Sequence, residues 1–187
     1  VQSLTRRFYA RDAPEVAVDL IGKVLVLGHC AGRIVETEAY TDDDEASHSF
    51  RGPRRQNLVM FGPPGRLYVY RSYGVHWCAN IVTGANDVGE AVLIRALEPV
   101  RGLPQMRARR GTARRDRDLA NGPGKLTAAM GITGGHSGTK LGRGSVQVFD
   151  DGNRPGQMVQ TTRIGITKAV DRPWRWYDGA SECVSRR

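Results

Sequence analysis

Apolar positions follow two rhythms along the chain. At residues 13–21 they recur at helical spacing, with Pro14 in the first turn and Gly22 just past the end, which predicts a helix packed on a sheet. Beyond it the runs shorten to strand length. Residues 23–27 are a compact apolar run, and a turn-like bridge, Gly28-His29-Cys30-Ala31-Gly32, leads into the alternating stretch 34–40, so a hairpin is expected. Strands are expected at 67–70 and 75–82, joined by Arg71-Ser72-Tyr73-Gly74 as a second hairpin with Tyr73 near its tip. A strongly apolar strand follows at 91–99, and strand-like pieces at 145–149 and 159–166. Between them, Asn121-Gly122-Pro123-Gly124-Lys125 reads as a glycine-rich turn opening a short helix.

Charge interrupts this pattern at two places. Strict alternation puts Ile34, Glu36, Glu38 and Tyr40 on one face of their strand and Val35, Thr37 and Ala39 on the other. Burying an unpaired carboxylate costs several kcal/mol or neutralises it, so the two glutamates imply a cleft, a cation partner, or an edge strand with both solvated. Arg95, inside the 91–99 strand, needs an anionic partner. That partner is a core glutamate, or a phosphate or shared water beside Glu38. The consecutive acids Asp42, Asp43, Asp44 and Glu45 could form a metal site, but neighbours in sequence cannot all turn to one ion, and a solvated run is favoured.

At 187 residues the chain suits one domain. Its 28 Lys+Arg against 19 Asp+Glu give a net charge of +9, nearly all of the excess from arginine, whose planar fork matches phosphate oxygens. Nucleic acid is therefore the expected partner. No long apolar segment, signal-peptide pattern or basic amphipathic helix points to a membrane, and Cys30, Cys78 and Cys183 show neither a disulfide framework nor zinc-ligand spacing, so a reducing cytoplasm is expected. The 103–118 segment is the most basic and, with Gly111 interrupting any helix, is expected as a mobile surface segment. Arg51, Arg54 and Arg55 lie in a long loop at 50–66, and Lys125 with the amides of its helix could hold a phosphate, though the spacing is not that of a nucleotide-binding P-loop. Residues 174–177 are expected to close the core rather than stack on bases. Tyr73 is either an incidental surface residue or, beside its basic flanks, a wedge for a base stack.

A carboxylate in an aromatic setting, an exposed turn tyrosine and basic loops are what hydrolysis of a base–sugar bond requires, without a metal or other cofactor. The stretches Arg33-Ile34-Val35-Glu36-Thr37-Glu38-Ala39-Tyr40, Asp44-Glu45-Ala46-Ser47-His48-Ser49, Leu67-Tyr68-Val69-Tyr70, Tyr73-Gly74, Asn80-Ile81, and Leu93-Ile94-Arg95-Ala96-Leu97-Glu98-Pro99 resemble the alkyladenine (3-methyladenine) DNA glycosylase family. So do Asn121-Gly122-Pro123-Gly124-Lys125-Leu126 and the closing Arg163-Ile164-Gly165-Ile166 and Arg172-Pro173-Trp174-Arg175-Trp176-Tyr177. The likeness spans nearly the whole chain and is to the bacterial type. It implies an α+β fold, a compact single domain over 1–187 around an antiparallel β-sheet with a protruding β-hairpin and helices on the outside. It further implies a monomer acting on double-stranded DNA that contains damaged purines, alkylated or deaminated.

By position, the resemblance makes Glu38 the general base, with Arg95 and the Ile164 carbonyl holding the attacking water. Tyr40 and His48 would stack on one face of the flipped base and Tyr70 on the other, Asn80 would line the pocket floor, and Tyr73 would enter the duplex. Arg71, Lys125, Arg54 and Arg55 would grip the backbone. The sequence departs from the pattern in a loop one residue shorter between Tyr40 and His48, in a slightly longer connection at 86–90, and in Arg71-Ser72 before the wedge tyrosine. Two other readings stay open: a non-catalytic binding module for distorted DNA, with Glu38 merely pairing Arg95, and a metal-dependent nuclease using residues 42–45.

Overall fold

A computed structural model describes residues 2–142 and 144–187; Val1, the first residue of a short basic stretch over 1–11, and Arg143, the last of a polar, glycine-rich stretch over 134–143, lie outside the described residues. In chain order the elements are β1 (Gln2–Ser3), α1 (Arg6–Tyr9), α2 (Ala13–Leu20), β2 (Val24–Leu27), β3 (Cys30–Tyr40), β4 (Leu67–Ser72) and β5 (His76–Thr83). Then follow β6 (Glu90–Arg101), α3 (Leu103–Arg109), α4 (Pro123–Met130), β7 (Val146–Asp150), β8 (Met158–Thr161) and β9 (Arg175–Asp178). The strands form one antiparallel sheet in the order β1-β7-β2-β3-β6-β5-β4, with β9 also on β3 and β8 on β9. The fold is α+β.

β3 runs through the middle of this sheet. One side pairs with β6, and the other pairs first with β2, Val24 opposite Arg33, and then with β9, Glu36 opposite Tyr177 and Glu38 opposite Arg175. Both glutamates are therefore central and fully buried, and the solvated edge strand is excluded. The ladder with β6 is irregular, with register shifts between Ile34 and Glu36 and between Glu36 and Thr37. Such a bulge resets which face each side chain takes. Ile34 joins the main core with Ala39, and Val35 packs instead with Ala96, Tyr177, Cys183 and Val184. Ile34 thus does not share a face with Glu38, as strict alternation had predicted, and the faces at Ile34 and Val35 are exchanged.

Alternation divides the rest of the sheet, apart from the register shift at Arg95 that brings Leu97 onto the core face. Leu67 and Val69, Ala79 and Ile81, and Val92, Ile94 and Leu97 turn into the main core, which α2, α3 and α4 cover with Val16, Ala17, Leu20, Met106, Leu126 and Met130. The intervening residues of the same strands face the other way and build the cleft described below. The 103–118 segment, expected to be mobile, carries the packed helix α3 with Met106 fully buried, and its arginines are tied locally by Arg107 to Asp116 (2.6 Å), Arg115 to Asp118 (2.9 Å) and Arg117 to Glu182 (2.6 Å). The strand expected at 159–166 stops at Thr161, because Arg163 leaves the sheet to form a buried ion pair with Asp44. Trp176 and Tyr177 are buried and close the core as expected.

The β4–β5 hairpin ends in a tight turn. Val75 N–H donates to Ser72 O at 3.0 Å, and Tyr73 and Gly74 both have positive φ, 49° and 67°, the signature of a type I′ turn. Glycine adopts this conformation freely and tyrosine does not, so Tyr73 is held there at a cost of about 1–3 kcal/mol. Its side chain is 92% exposed. The first turn of α4 packs against the turn end of the hairpin, where a Cβ on Gly124 would lie 2.8 Å from His76 Cβ. Gly124→Ala should therefore destabilise the fold by about 1–3 kcal/mol in urea unfolding; no change in midpoint would show that the hairpin yields freely at His76.

Candidate active site

The cleft is built on the sheet face turned away from the helices. It has a volume of about 1030 Å³ and is lined by Tyr40, His48, Tyr68, Tyr70, Asn80 and Arg95, with Ile164 at one side and Arg54, Arg71 and Tyr73 at the rim. Strand alternation explains the composition: Tyr68 and Tyr70 come from β4, Cys78 and Asn80 from β5, and Leu93 and Arg95 from β6.

Glu38 sits beneath this lining. Its Oε1 accepts from the Ile164 backbone N–H at 2.8 Å and lies 3.2 Å from Arg95 Nη1, while its Oε2 accepts from the Tyr40 hydroxyl at 2.8 Å. An ionised carboxylate offers about four acceptor positions, so these two hydrogen bonds and the Arg95 contact leave one more, on the oxygen shared with Tyr40. The Ile164 group that reaches Glu38 is the amide and not the carbonyl, a contact possible because the chain has left β8 at that point. Burial first, and then the charge of Glu38, push the Tyr40 hydroxyl far above the ordinary tyrosine range, so it remains a donor at neutral pH.

Arg95 is shared. Its Nε donates to Glu36 Oε1 at 3.0 Å while Nη1 faces Glu38. Glu36 also accepts from Arg175 Nη1 at 3.0 Å, Ser185 Oγ at 2.9 Å and the Ser185 backbone N–H at 2.6 Å. The core ion pair foreseen for Arg95 is present, and it involves both glutamates.

A second buried pair fixes the cleft's other wall. Arg163 binds Asp44, donates to Ala39 O at 2.9 Å, and lays its guanidinium 4.7 Å from the centre of the Tyr40 ring. This joins the loop that carries His48 to the one that presents the Ile164 amide. The acid run is thereby divided among separate cations, Asp44 to Arg163, Asp43 to Arg172 at 3.2 Å and Glu45 to Lys168 at 3.7 Å. Among the described residues no group of three or more His, Cys, Asp or Glu is placed to hold a metal ion.

His48 Nδ1 lies 3.0 Å from the Tyr68 hydroxyl, and its ring centre is 4.4 Å from that of Tyr70 with the planes at 68°. A base held between two flat side chains needs about 7 Å between them, twice the carbon contact distance. His48 and Tyr70, expected on opposite faces of a base, touch each other here, and entry of a base between them requires the His48 ring to turn aside. Asn80 is buried at the floor, its Nδ2 donating to Tyr68 O at 3.2 Å. Burial raises the Tyr68 hydroxyl to about 12 and also raises Tyr70.

The basic residues divide. Arg54 and Arg71 reach the rim, Arg71 with its guanidinium 5.5 Å from the Trp77 ring centre. Arg55 is exposed on the loop outside the cleft lining, and Lys125, bonded to Asn121 Oδ1 at 2.8 Å, lines a separate basic hollow of about 650 Å³ with Arg110, Arg114 and Arg115. Tyr68 was missed by the sequence reading although period-two spacing pairs it with Tyr70. Asp44 and Arg163 were missed because partners 119 residues apart leave no local signal.

Comparison with known proteins agrees with this geometry. The family model for methylpurine-DNA glycosylase (MPG) matches residues 7–182. A protein of Methanoculleus marisnigri named "Putative 3-methyladenine DNA glycosylase" is 54% identical, covering 99% of this chain and 100% of its own. Proteins with the same name from Rhodopseudomonas palustris and Burkholderia cenocepacia are 51% and 50% identical, over 92% and 96% of this chain and 83% and 89% of theirs. A sheet-borne carboxylate under an aromatic cleft with a basic rim thus belongs to a hydrolase of N-glycosyl bonds. The chain is a member of the methylpurine-DNA glycosylase family.

Desolvation of the His48 ring against Tyr68 and Tyr70 lowers its pKa, so it is neutral at pH 7. Because the folded value lies below the unfolded one of about 6.5, the contribution of this ring to stability is complete above that pH and is lost as pH falls toward the folded value. An NMR titration should place the His48 midpoint below that of a free histidine; a midpoint at or above it would contradict the packed ring.

Proposed function

We propose that this protein removes damaged purines, alkylated or deaminated, from double-stranded DNA by turning the nucleotide into the cleft and hydrolysing its N-glycosidic bond with water. The observation that carries the reading is Glu38, buried just beneath the aromatic cleft and oriented by two hydrogen bonds and the Arg95 ion pair, with one acceptor position left for a water. Glu38 takes the proton as the water oxygen attacks C1′ of the deoxyribose. The C1′–N bond breaks with its electron pair going to the purine, so a cationic alkylpurine leaves as a neutral base, a neutral deaminated purine leaves as its anion and takes a proton from solvent, and the strand keeps an abasic sugar. Arg95 holds Glu38 in register. No lysine lines the cleft among its described residues, which favours water over an amine as the nucleophile.

Tyr70 stacks on one face of the purine and Tyr40 on the other, with His48 joining Tyr40 once its ring leaves Tyr70. The aromatic walls favour electron-poor, cationic purines by stacking and cation–π attraction. Asn80 at the floor crowds the exocyclic amino group of undamaged guanine. Tyr73, held outward on its I′ turn, fills the gap left in the duplex. Arg71, Arg54, Arg55 and Lys125 hold the phosphates, and the net charge of +9 makes binding salt-dependent.

The test is release of free base from methylated duplex DNA in EDTA. The native protein should release methylpurine and leave the strand intact until it is treated with alkali. Glu38→Gln should bind the same duplex but release base at least about 10²-fold more slowly. Tyr73→Ala should lose at least about tenfold in excision from duplex while keeping its pocket. Binding of lesion DNA without release by native protein would overturn the enzymatic reading, and a Tyr73→Ala variant as active as native would overturn the wedge.

A further inference from the structure

Ser185 lies outside the cleft, yet it touches both Arg95 and Glu36. Its hydroxyl donates to Glu36 Oε1 at 2.9 Å and receives Arg95 Nη2 at 3.4 Å, while its backbone N–H donates to Glu36 Oε2 at 2.6 Å. The segment that carries it is firmly seated. Cys183 and Val184 are buried against Val35, Ala96 and Tyr177, Cys183 N–H donates to the Ser181 hydroxyl at 3.2 Å, and Arg175 Nη1 reaches Arg186 O at 2.9 Å. The guanidinium of Arg95 therefore has each nitrogen assigned to a different partner: Nε to Glu36, Nη1 to Glu38 and Nη2 to Ser185.

We infer that Ser185 is a positioning residue for the reaction, setting how Arg95 is divided between Glu36 and Glu38 and so holding Glu38 in place for the water. The inference rests on the functional reading above. A guanidinium shared between two carboxylates can rotate toward either one; with Nη2 and Glu36 both fastened to Ser185, rotation toward Glu36 is blocked and Nη1 stays on Glu38. Removing the hydroxyl frees Nη2 and takes one donor from Glu36, which Arg95 can then satisfy by turning away from Glu38. The backbone N–H contact remains, so the segment stays docked.

The experiment compares native protein with Ser185→Ala and Ser185→Thr, measuring single-turnover release of base from methylated duplex, affinity for the same duplex, and thermal unfolding. Ser185→Ala should lose about tenfold in the rate of the chemical step, the scale of one charge-assisted hydrogen bond, with DNA affinity unchanged, and Ser185→Thr should recover most of that loss. A Ser185→Ala rate equal to native would overturn the inference. So would a loss of rate and affinity together, or no recovery in a folded Ser185→Thr, since either marks a merely structural role. The guanidinium NMR signals of Arg95 give a readout independent of activity. Native protein should show slowed rotation about its Nε–Cζ bond, lost in Ser185→Ala; unchanged signals would overturn the inference. A native protein that releases no base but shows this NMR change would contradict the functional reading and leave the positioning of Arg95 by Ser185 supported.

Discussion

Two carboxylates buried side by side in the middle of a sheet must be neutralised, and one arginine between them does this for both. Arg95 reaches Glu36 and Glu38 at 3.0 and 3.2 Å, and Arg175 adds a second cation on the same Glu36 oxygen, Oε1. Two positive and two negative groups then balance in a region nearly closed to water, where breaking a buried pair from one side costs about 3–5 kcal/mol. The rest of the molecule serves this arrangement. Alternation keeps Glu36 and Glu38 on the same side while the bulge in β3 sends Ile34 to the core, β9 covers Glu36, and the Ser181–Arg187 segment seals it.

The two glutamates have different surroundings, and this is the basis of the different work proposed for them. Every donor to Glu36 is a group that cannot reverse: a backbone N–H and two guanidinia, with the Ser185 hydroxyl itself committed to Arg95. Glu38 keeps an acceptor position, and one of its partners, the Tyr40 hydroxyl, can turn round. The cleft above Glu38 is aromatic because the residues that alternate with the core positions of β4, β5 and β6 are tyrosine, asparagine, cysteine and arginine. A helix-packed hydrophobic face thus supports a chemical face on the same strands, and the loops that complete the cleft are fastened by the Arg163–Asp44 pair.

Much of this was legible in the sequence. Hydrophobic spacing located α2, the two hairpins and the β6 strand, and charge inside apolar strands marked Glu36, Glu38 and Arg95, because a buried charge without a partner is too costly to be incidental. The exposure of Tyr73 followed from its place beside a turn glycine. Period-two reasoning failed at Ile34, where a bulge added a residue to the ladder without any glycine or proline to announce it. The early end of β8, the Asp44 partner of Arg163 and the docking of Ser185 on Glu36 depend on pairings across more than a hundred residues, which no local pattern encodes. The 103–118 segment looked mobile from its charge, yet one methionine, Met106, anchors its helix in the core.

In the proposed reaction Glu36 holds the structure together and Glu38 performs the chemistry, although both share Arg95. The most direct measurement is the unfolding free energy of Glu36→Gln and Glu38→Gln side by side, with single-turnover base release as the companion readout. A glutamine at 36 must aim its NH₂ at a backbone N–H or a guanidinium, whereas one at 38 can donate to a reversed Tyr40 hydroxyl. Glu36→Gln should therefore lose about 3–5 kcal/mol of stability and Glu38→Gln much less, while Glu38→Gln loses nearly all base release. Equal destabilisation by the two variants, or a folded Glu38→Gln that still releases base at the native rate, would contradict that division.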